Sequence, residues 1–179
     1  GIQALDDESL RLLGRRHTVK EAMRAWDVAN SVFERSSFDL IYARQHQDAR
    51  LWVSELERAL ALSPTHLSLY QLTIEDGTAF GDRYRIGKLP GLPTGDQGAD
   101  LYEVTQDMCG AAGLPAYEVS NHAKPSEESK HNLIYWRYGD YIGIGPGAHG
   151  RLTVGGQKIA YENSKAPGSW LSSVQSNAR

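Results

Sequence analysis

Residues 36–74 read SSFDLIYARQHQDARLWVSELERALALSPTHLSLYQLTI, and the fold follows from how this stretch alternates. Phe38 to Tyr42 is a short apolar run behind two serines, the pattern of a buried strand, and it carries the Asp39 carboxylate inside it. Asp48 stands where a helix N-cap belongs, and Leu51, Trp52, Leu56, Ala59, Leu60 and Ala61 then form an apolar face that runs up to Pro64. Leu67 to Ile74 is again strand-like, rich in aromatic and branched residues. A strand, a helix and a strand in this order make a βαβ unit, whose right-handed crossover places the helix outside a parallel sheet.

The same alternation continues on both sides. Upstream, Asp6 or Asp7 caps a short helix through Leu13 that Gly14 closes. Thr18 and Glu21 form a capping box for a helix over 18–34, with Ala22, Ala25, Trp26, Ala29, Val32 and Phe33 at helical spacing. Downstream, residues 75–95 carry Gly77, Gly81, Gly87, Pro90, Gly91 and Pro93 and read as loop. A helix follows over 96–112, Pro115 interrupts it, and Ala116 to Val119 is predicted as a third strand. Arg151 to Val154 and Lys158 to Tyr161, joined by Gly155-Gly156, read as a hairpin. With the terminal helix, that hairpin is assigned to a second unit packed beside the sheet. The opening GIQALDD reads as a chain just leaving a strand, and the closing WLSSVQSNAR as one stopped in the first turns of a helix, so both ends are expected to be cuts.

Composition narrows the function. A chain of 179 residues with 40% apolar content can bury one core, or one and a fraction. The net charge of −3 is small and its cations are scattered, so neither nucleic acid nor a polybasic membrane contact is expected. No apolar run approaches the roughly 20 residues of a membrane span, and no signal-type leader is visible, which points to a cytoplasmic protein. Cys109 is the only cysteine, which rules out an internal disulfide and leaves this chain unable to supply a thiolate cluster site.

In a parallel sheet, ligands gather at the carboxyl ends of the strands. Gln3, Asp39, Gln71, Thr73, Glu118, Ser120, Asn121 and His122 fall at or near such ends, and Arg15 follows Gly14 at the same mouth. Taken singly, most of them read as turn formers or paired surface groups. Asp39 is different, because a carboxylate between Phe38 and Leu40 needs a partner or a ligand. Residues 129–150, SKHNLIYWRYGDYIGIGPGAHG, are the densest chemical stretch. If the first part is helical, His131 and Tyr135 share a face, with Asn132 and Trp136 beside them. Gly143, Gly145, Pro146 and Gly147 then form a loop able to approach a bound molecule closely. The spacing of His122, His131 and His149 fits no compact zinc motif. Cys109, next to Met108, reads as a small buried apolar residue.

The segments GIQALDDESLRLLGRRH, SSFDLIYARQHQ, HLSLYQLTIEDGTAF, LPAYEVSNHA and HNLIYWRYGDYIGIGPGAHG, in this order, resemble the radical S-adenosylmethionine family of oxygen-independent coproporphyrinogen III oxidases. Within that family the His131-Asn132-x-x-Tyr135-Trp136 motif resembles the HemW haem-chaperone branch. The resemblance implies the later portion of a partial (β/α)6 barrel over residues 1–122 and the start of a smaller α+β domain over 123–179. It implies that Gln3, Arg15, Asp39 and Thr73 contact S-adenosylmethionine, and that His131, Asn132, Tyr135 and Trp136 bind haem, with His131 the candidate iron ligand. The cofactors it implies are S-adenosylmethionine, a [4Fe-4S] cluster and haem. The partners it implies are haem and respiratory haem-acceptor proteins, and it admits a homodimer and peripheral membrane association. The alternative activity is oxidative decarboxylation of coproporphyrinogen III to protoporphyrinogen IX. Two departures stand out. Ala43-Arg44-Gln45 replaces a Gly-Leu-Pro found in many relatives and is expected to alter the loop beside the cofactor. The family's three-cysteine motif is absent, so this polypeptide by itself is expected not to assemble the cluster.

Overall fold

The protein is described by a computed structural model over residues 1–177. It contains two compact units, Gly1–Glu128 and a second beginning at Ser129. In the first, α1 (Asp7–Leu12) and α2 (Val19–Val32) precede β1 (Ser37–Tyr42), and α3 (Ala49–Ala61) leads to β2 (His66–Gln71). Then α4 (Ala79–Arg85) and α5 (Gly95–Ala111) lead to β3 (Asn121–Ala123). The predicted caps are all in use. Asp6 accepts from the Ser9 amide, Asp48 from the Leu51 amide, and Thr18 and Glu21 close their box reciprocally.

β1 and β2 pair in parallel, from Ser37 opposite His66 to Tyr42 opposite Gln71, and Gln3 bridges Leu40 on the outer side of β1. Side chains alternate between faces along each strand. Phe38, Leu40, Tyr42, Leu67 and Leu69 join a core with Trp26 of α2, with Trp52, Leu56 and Ala59 of α3, and with Leu101 and Cys109 of α5. Trp52 is fully buried, stacks on Tyr42 at 5.1 Å, and donates its indole N–H to Thr105 Oγ1 at 2.8 Å. The Thr105 hydroxyl in turn donates to the Leu101 carbonyl at 2.7 Å, so this polar pair is satisfied inside the core. Burying a side chain of this kind stabilises by roughly 1.5–3 kcal/mol. The opposite face carries Asp39, Ile41, Ser68 and Tyr70, half-buried or exposed. On that face Ile41 packs into a second, smaller apolar cluster with Ala4, Leu10 and Leu13, and Asp39 and Ser68 are its polar groups.

Two sequence expectations are corrected. The third strand is not Ala116–Val119. Ala116 makes only an isolated bridge to His122, and the strand beside β2 is Asn121–Ala123, which runs antiparallel to it. After Pro115 the chain doubles back at once: the Tyr117 amide bonds to the Asn121 carbonyl, and the Ala123 amide to the Pro115 carbonyl. It is therefore the returning arm that meets β2, and a return this short cannot be a parallel crossover. Residues 75–95 are not all loop either, since α4 lies within them. Thr78 caps it by accepting from the Gly81 amide at 3.0 Å. Gly81, which read as punctuation, packs so closely on the Glu75 carbonyl that a Cβ would collide with it.

The second unit holds α6 (Lys130–Trp136), the hairpin β4 (His149–Val154) and β5 (Gln157–Glu162), and α7 (Pro167–Asn177). The predicted hairpin is present, and Gly155 and Gly156 both have positive φ, 58° and 80°, as a two-residue turn of this hand demands. No helix among the described residues is long and apolar enough to cross a membrane.

Candidate functional site

The polar face of the first unit brings together three of the four residues expected to contact S-adenosylmethionine. Arg15 Nη2 donates to Gln3 Oε1 at 2.7 Å, and Gln3 Nε2 donates to Asp39 Oδ2. The backbone amide of Ile2 donates to Asp39 Oδ1 at 3.1 Å. Guanidinium, amide and carboxylate thus form one directed chain, which is the partner that Asp39 required. Gln3 reaches this position with φ at 71°, a sparsely populated state for a residue with a Cβ. Its ladder bonds to Asp39 and Ile41 hold it there: its amide donates to the Asp39 carbonyl and its carbonyl accepts from the Ile41 amide. Asp39 retains 27% side-chain exposure, enough to meet a ligand. Thr73 lies apart, exposed beyond the carboxyl end of β2.

The expected haem residues lie on α6 of the second unit. Ser129 caps this helix through the Asn132 amide, and the predicted four-residue spacing brings the His131 and Tyr135 rings to 4.9 Å, edge to face. Tyr135 Oη and His131 Nε2 are hydrogen-bonded at 3.0 Å, and Tyr135 also meets Tyr141 at 4.6 Å. Trp136 is 59% exposed. Imidazole, phenol and indole are therefore all presented outward, next to Asn132.

The glycine loop has reasons of its own. A Cβ on Gly143 would collide with the His149 backbone, and one on Gly150 with the Tyr161 ring. The Gly143 amide donates to Tyr161 Oη at 2.8 Å, and Asn163 Nδ2 donates to the Gly143 and Gly145 carbonyls at 3.2 and 2.9 Å. At Gly143 and Gly150 the glycines serve close packing against the hairpin. Nearby, Asp140 accepts from Lys158 Nζ and from the amide and hydroxyl of Thr153, and these partners hold its carboxyl down at about 2.

The cluster that the resemblance implies does not fit these residues. Cys109 is fully buried, and burial pushes its thiol up to about 12, the behaviour of a core residue rather than of a thiolate ligand. Among the described residues no group of three His, Cys, Asp or Glu side chains could hold a metal ion. For S-adenosylmethionine the fit is good, since Arg15, Gln3 and Asp39 already converge. His149 lies on β4, 3.8 Å from the Glu162 carboxylate, and His122 is buried in β3.

Sequence reading missed the cluster built by the departure loop. Arg44 Nη2 donates to Glu55 Oε2 at 2.6 Å, and both side chains are buried. Glu55 Oε1 accepts from the Leu5 amide at 2.6 Å, Arg44 Nη1 donates to the Ile41 carbonyl at 2.5 Å, and Gln47 Nε2 adds a bond to Glu55 at 3.1 Å. The clasp ties down both backbones just past Gln3 and Asp39. Its signal was available: Glu55 lies on the apolar face of α3 beside Trp52, Leu56 and Ala59, where a carboxylate requires a buried cation.

No protein-family model matches the chain. Among curated proteins it is 44% identical over 154 residues to the haem chaperone HemW of Escherichia coli, covering 86% of this chain and 39% of that protein. It is 40% identical over 179 residues to the mitochondrial radical S-adenosyl methionine domain-containing protein 1 of Mus musculus, covering 97% of this chain and 40% of that protein. Among solved structures it is similar to coproporphyrinogen III oxidase HemN of Escherichia coli, a radical SAM enzyme, with a TM-score of 0.75 and 19% identity over 97% of this chain and 42% of that one. The fold is thus that of a portion of a radical S-adenosylmethionine protein. Its sequence places the chain with the HemW-type radical S-adenosylmethionine proteins. It spans about 40% of the length of the curated relatives it matches.

Proposed function

We propose that this chain is part of a haem chaperone of the HemW type. In full length the protein binds haem and delivers it to respiratory acceptor proteins in the cytoplasm, with S-adenosylmethionine and a [4Fe-4S] cluster supporting that task. The observation that carries this reading is α6, which presents His131, Tyr135 and Trp136 outward on a capped helix. Imidazole is a common axial ligand of haem iron, and exposed aromatic faces suit a flat macrocycle. Tyr135, bonded to His131 Nε2, orients the ring. On the first unit, Asp39 takes donor groups of S-adenosylmethionine, while Arg15 pairs with its carboxylate and Gln3 holds the two in register. The fold likeness to HemN supports a second reading, a coproporphyrinogen III oxidase.

The test uses full-length protein with its cluster rebuilt. His131→Ala is expected to weaken haem binding or shift the haem absorption bands, with coproporphyrinogen III left unconverted by both forms. Unchanged bands and affinity would remove His131 from the site, and turnover of coproporphyrinogen III would replace the chaperone reading with the oxidase.

A further inference from the structure

The strand register lines up a second set of polar groups beside Asp39. Asp39 is opposite Ser68, and Ser68 is opposite Asn121, so the three form one row across β1, β2 and β3. They lie on the face opposite the Trp52 core, each about 4.8 Å from the next across neighbouring strands. The proton directions along this row are determined by chemistry. Glu118 Oε1 accepts from the Ser120 amide at 2.8 Å and from Asn121 Nδ2. Because that carboxylate is acceptor-only when ionised, it orients the Asn121 amide with Nδ2 toward Glu118 and Oδ1 toward Ser68. Oδ1 can only accept, so Ser68 spends its single proton there, at 2.5 Å. What Ser68 has left to offer is lone pairs.

Asp39 on the same row is also an acceptor. The face therefore sets two hydrogen-bond acceptors side by side, one charged and one neutral, at the spacing of adjacent strands. Neither can satisfy the other. A ligand that satisfies both must bring two neighbouring donors, and two adjacent hydroxyls on a sugar ring do so, each reaching about 2.7–2.8 Å to its own oxygen. Asn121 is 5% exposed, which leaves it as the orienting group, while Ser68 is half-buried and able to touch.

We propose that Ser68, oriented by Asn121 and Glu118, is a further ligand-binding residue of the Arg15–Gln3–Asp39 site and accepts one hydroxyl of the ribose diol while Asp39 accepts the other. This rests on the S-adenosylmethionine reading of that site.

The test measures binding of S-adenosylhomocysteine, and of its 2′-deoxy and 3′-deoxy forms, to the full-length protein by calorimetry. Ser68→Ala is expected to weaken the diol ligand by roughly two- to tenfold, the worth of one net hydrogen bond. Ser68→Thr, which keeps the hydroxyl, is expected to restore affinity. For one of the two deoxy ligands, Ser68→Ala is expected to cost nothing, because the donor is already gone. Equal affinity of Ser68→Ala and the parent for the diol ligand, with Asp39→Ala losing it, overturns the role of Ser68 and leaves the site standing. Equal loss on all three ligands overturns the hydroxyl contact. Unchanged affinity of Asp39→Ala overturns the site itself.

Discussion

The two units solve the problem of holding a site in opposite ways. The first buries its two tryptophans: Trp26 is 6% exposed and Trp52 is fully buried, and the polar row rides on the back of the sheet that this core supports. The second leaves Trp136 59% exposed, and among the described residues α6 and α7 contribute nothing buried. Its order comes from polar pins instead, the Asp140 bonds to Lys158 and Thr153 and the Tyr161 and Asn163 bonds to the glycine loop. A packed core positions groups to within tenths of an ångström, because its side chains have few alternative arrangements. Rings presented outward keep their faces available for a large flat ligand. The chemistry assigned to each unit follows this division, with directed hydrogen bonds on the first and broad aromatic contact on the second.

The largest expected effect is at Glu55. Glu55→Ala leaves buried Arg44 with only the half-exposed Asp6 carboxylate, 3.6 Å away, and the Leu5 amide without its acceptor, and it is expected to cost about 3 kcal/mol of stability. Changing Arg44 and Glu55 together to Leu should recover part of that, because no charge is then stranded. Denaturant unfolding measures both. A cost below about 1 kcal/mol for the single change would mean that the first unit does not depend on this clasp.

The corresponding change in the second unit is Gly150→Ala. The added methyl meets the Tyr161 ring, and overpacking of this kind costs about 1–3 kcal/mol. Hydrogen exchange should show faster opening of β4 and β5 while β1 and β2 keep their protection. Loss of protection in both units together would show that they unfold as one.

The smallest effect is a difference in acid sensitivity. Burial pushes the His66 and His122 imidazoles below their ordinary value of 6.5. The unfolded chain therefore binds protons that the folded chain refuses. Stability of the first unit is fully present above pH 6.5 and falls as the pH drops from there toward the folded values. Asp140 sits at about 2 against an ordinary 3.8, so its contribution persists down to about pH 3.8 and is lost between there and pH 2. Exchange measured at pH 7 and pH 5, corrected for intrinsic rates, should thus weaken protection in the first unit more than in the second. The reverse order would contradict this assignment of the titrating groups.

Much of this was legible in the amino acids. Local rules sufficed for the caps at Asp6, Thr18 and Asp48, for the βαβ unit over 36–74, for the Gly155-Gly156 hairpin and for the His131–Tyr135 pair, because each depends on residues within a few positions of one another. Asp39 announced itself by being a carboxylate in an apolar run. What local rules could not supply was partnership across the chain. The direction of β3 depended on which arm of a tight return reached β2. The loop glycines looked like a ligand wall until the hairpin that crowds Gly143 and Gly150 was in place. Arg44 and Glu55 are 11 positions apart and were joined only by the packing of α3.

Sequence alone therefore determined the first βαβ unit, the resemblance to a family and the residue types able to meet a cofactor, since those are carried by short-range periodicity and motif. Tertiary structure alone decided that Arg15, Gln3 and Asp39 form a single hydrogen-bonded chain, and that Ser68 and Asn121 extend its row. Register places side chains on one face only after distant strands have paired, and no local pattern encodes that pairing.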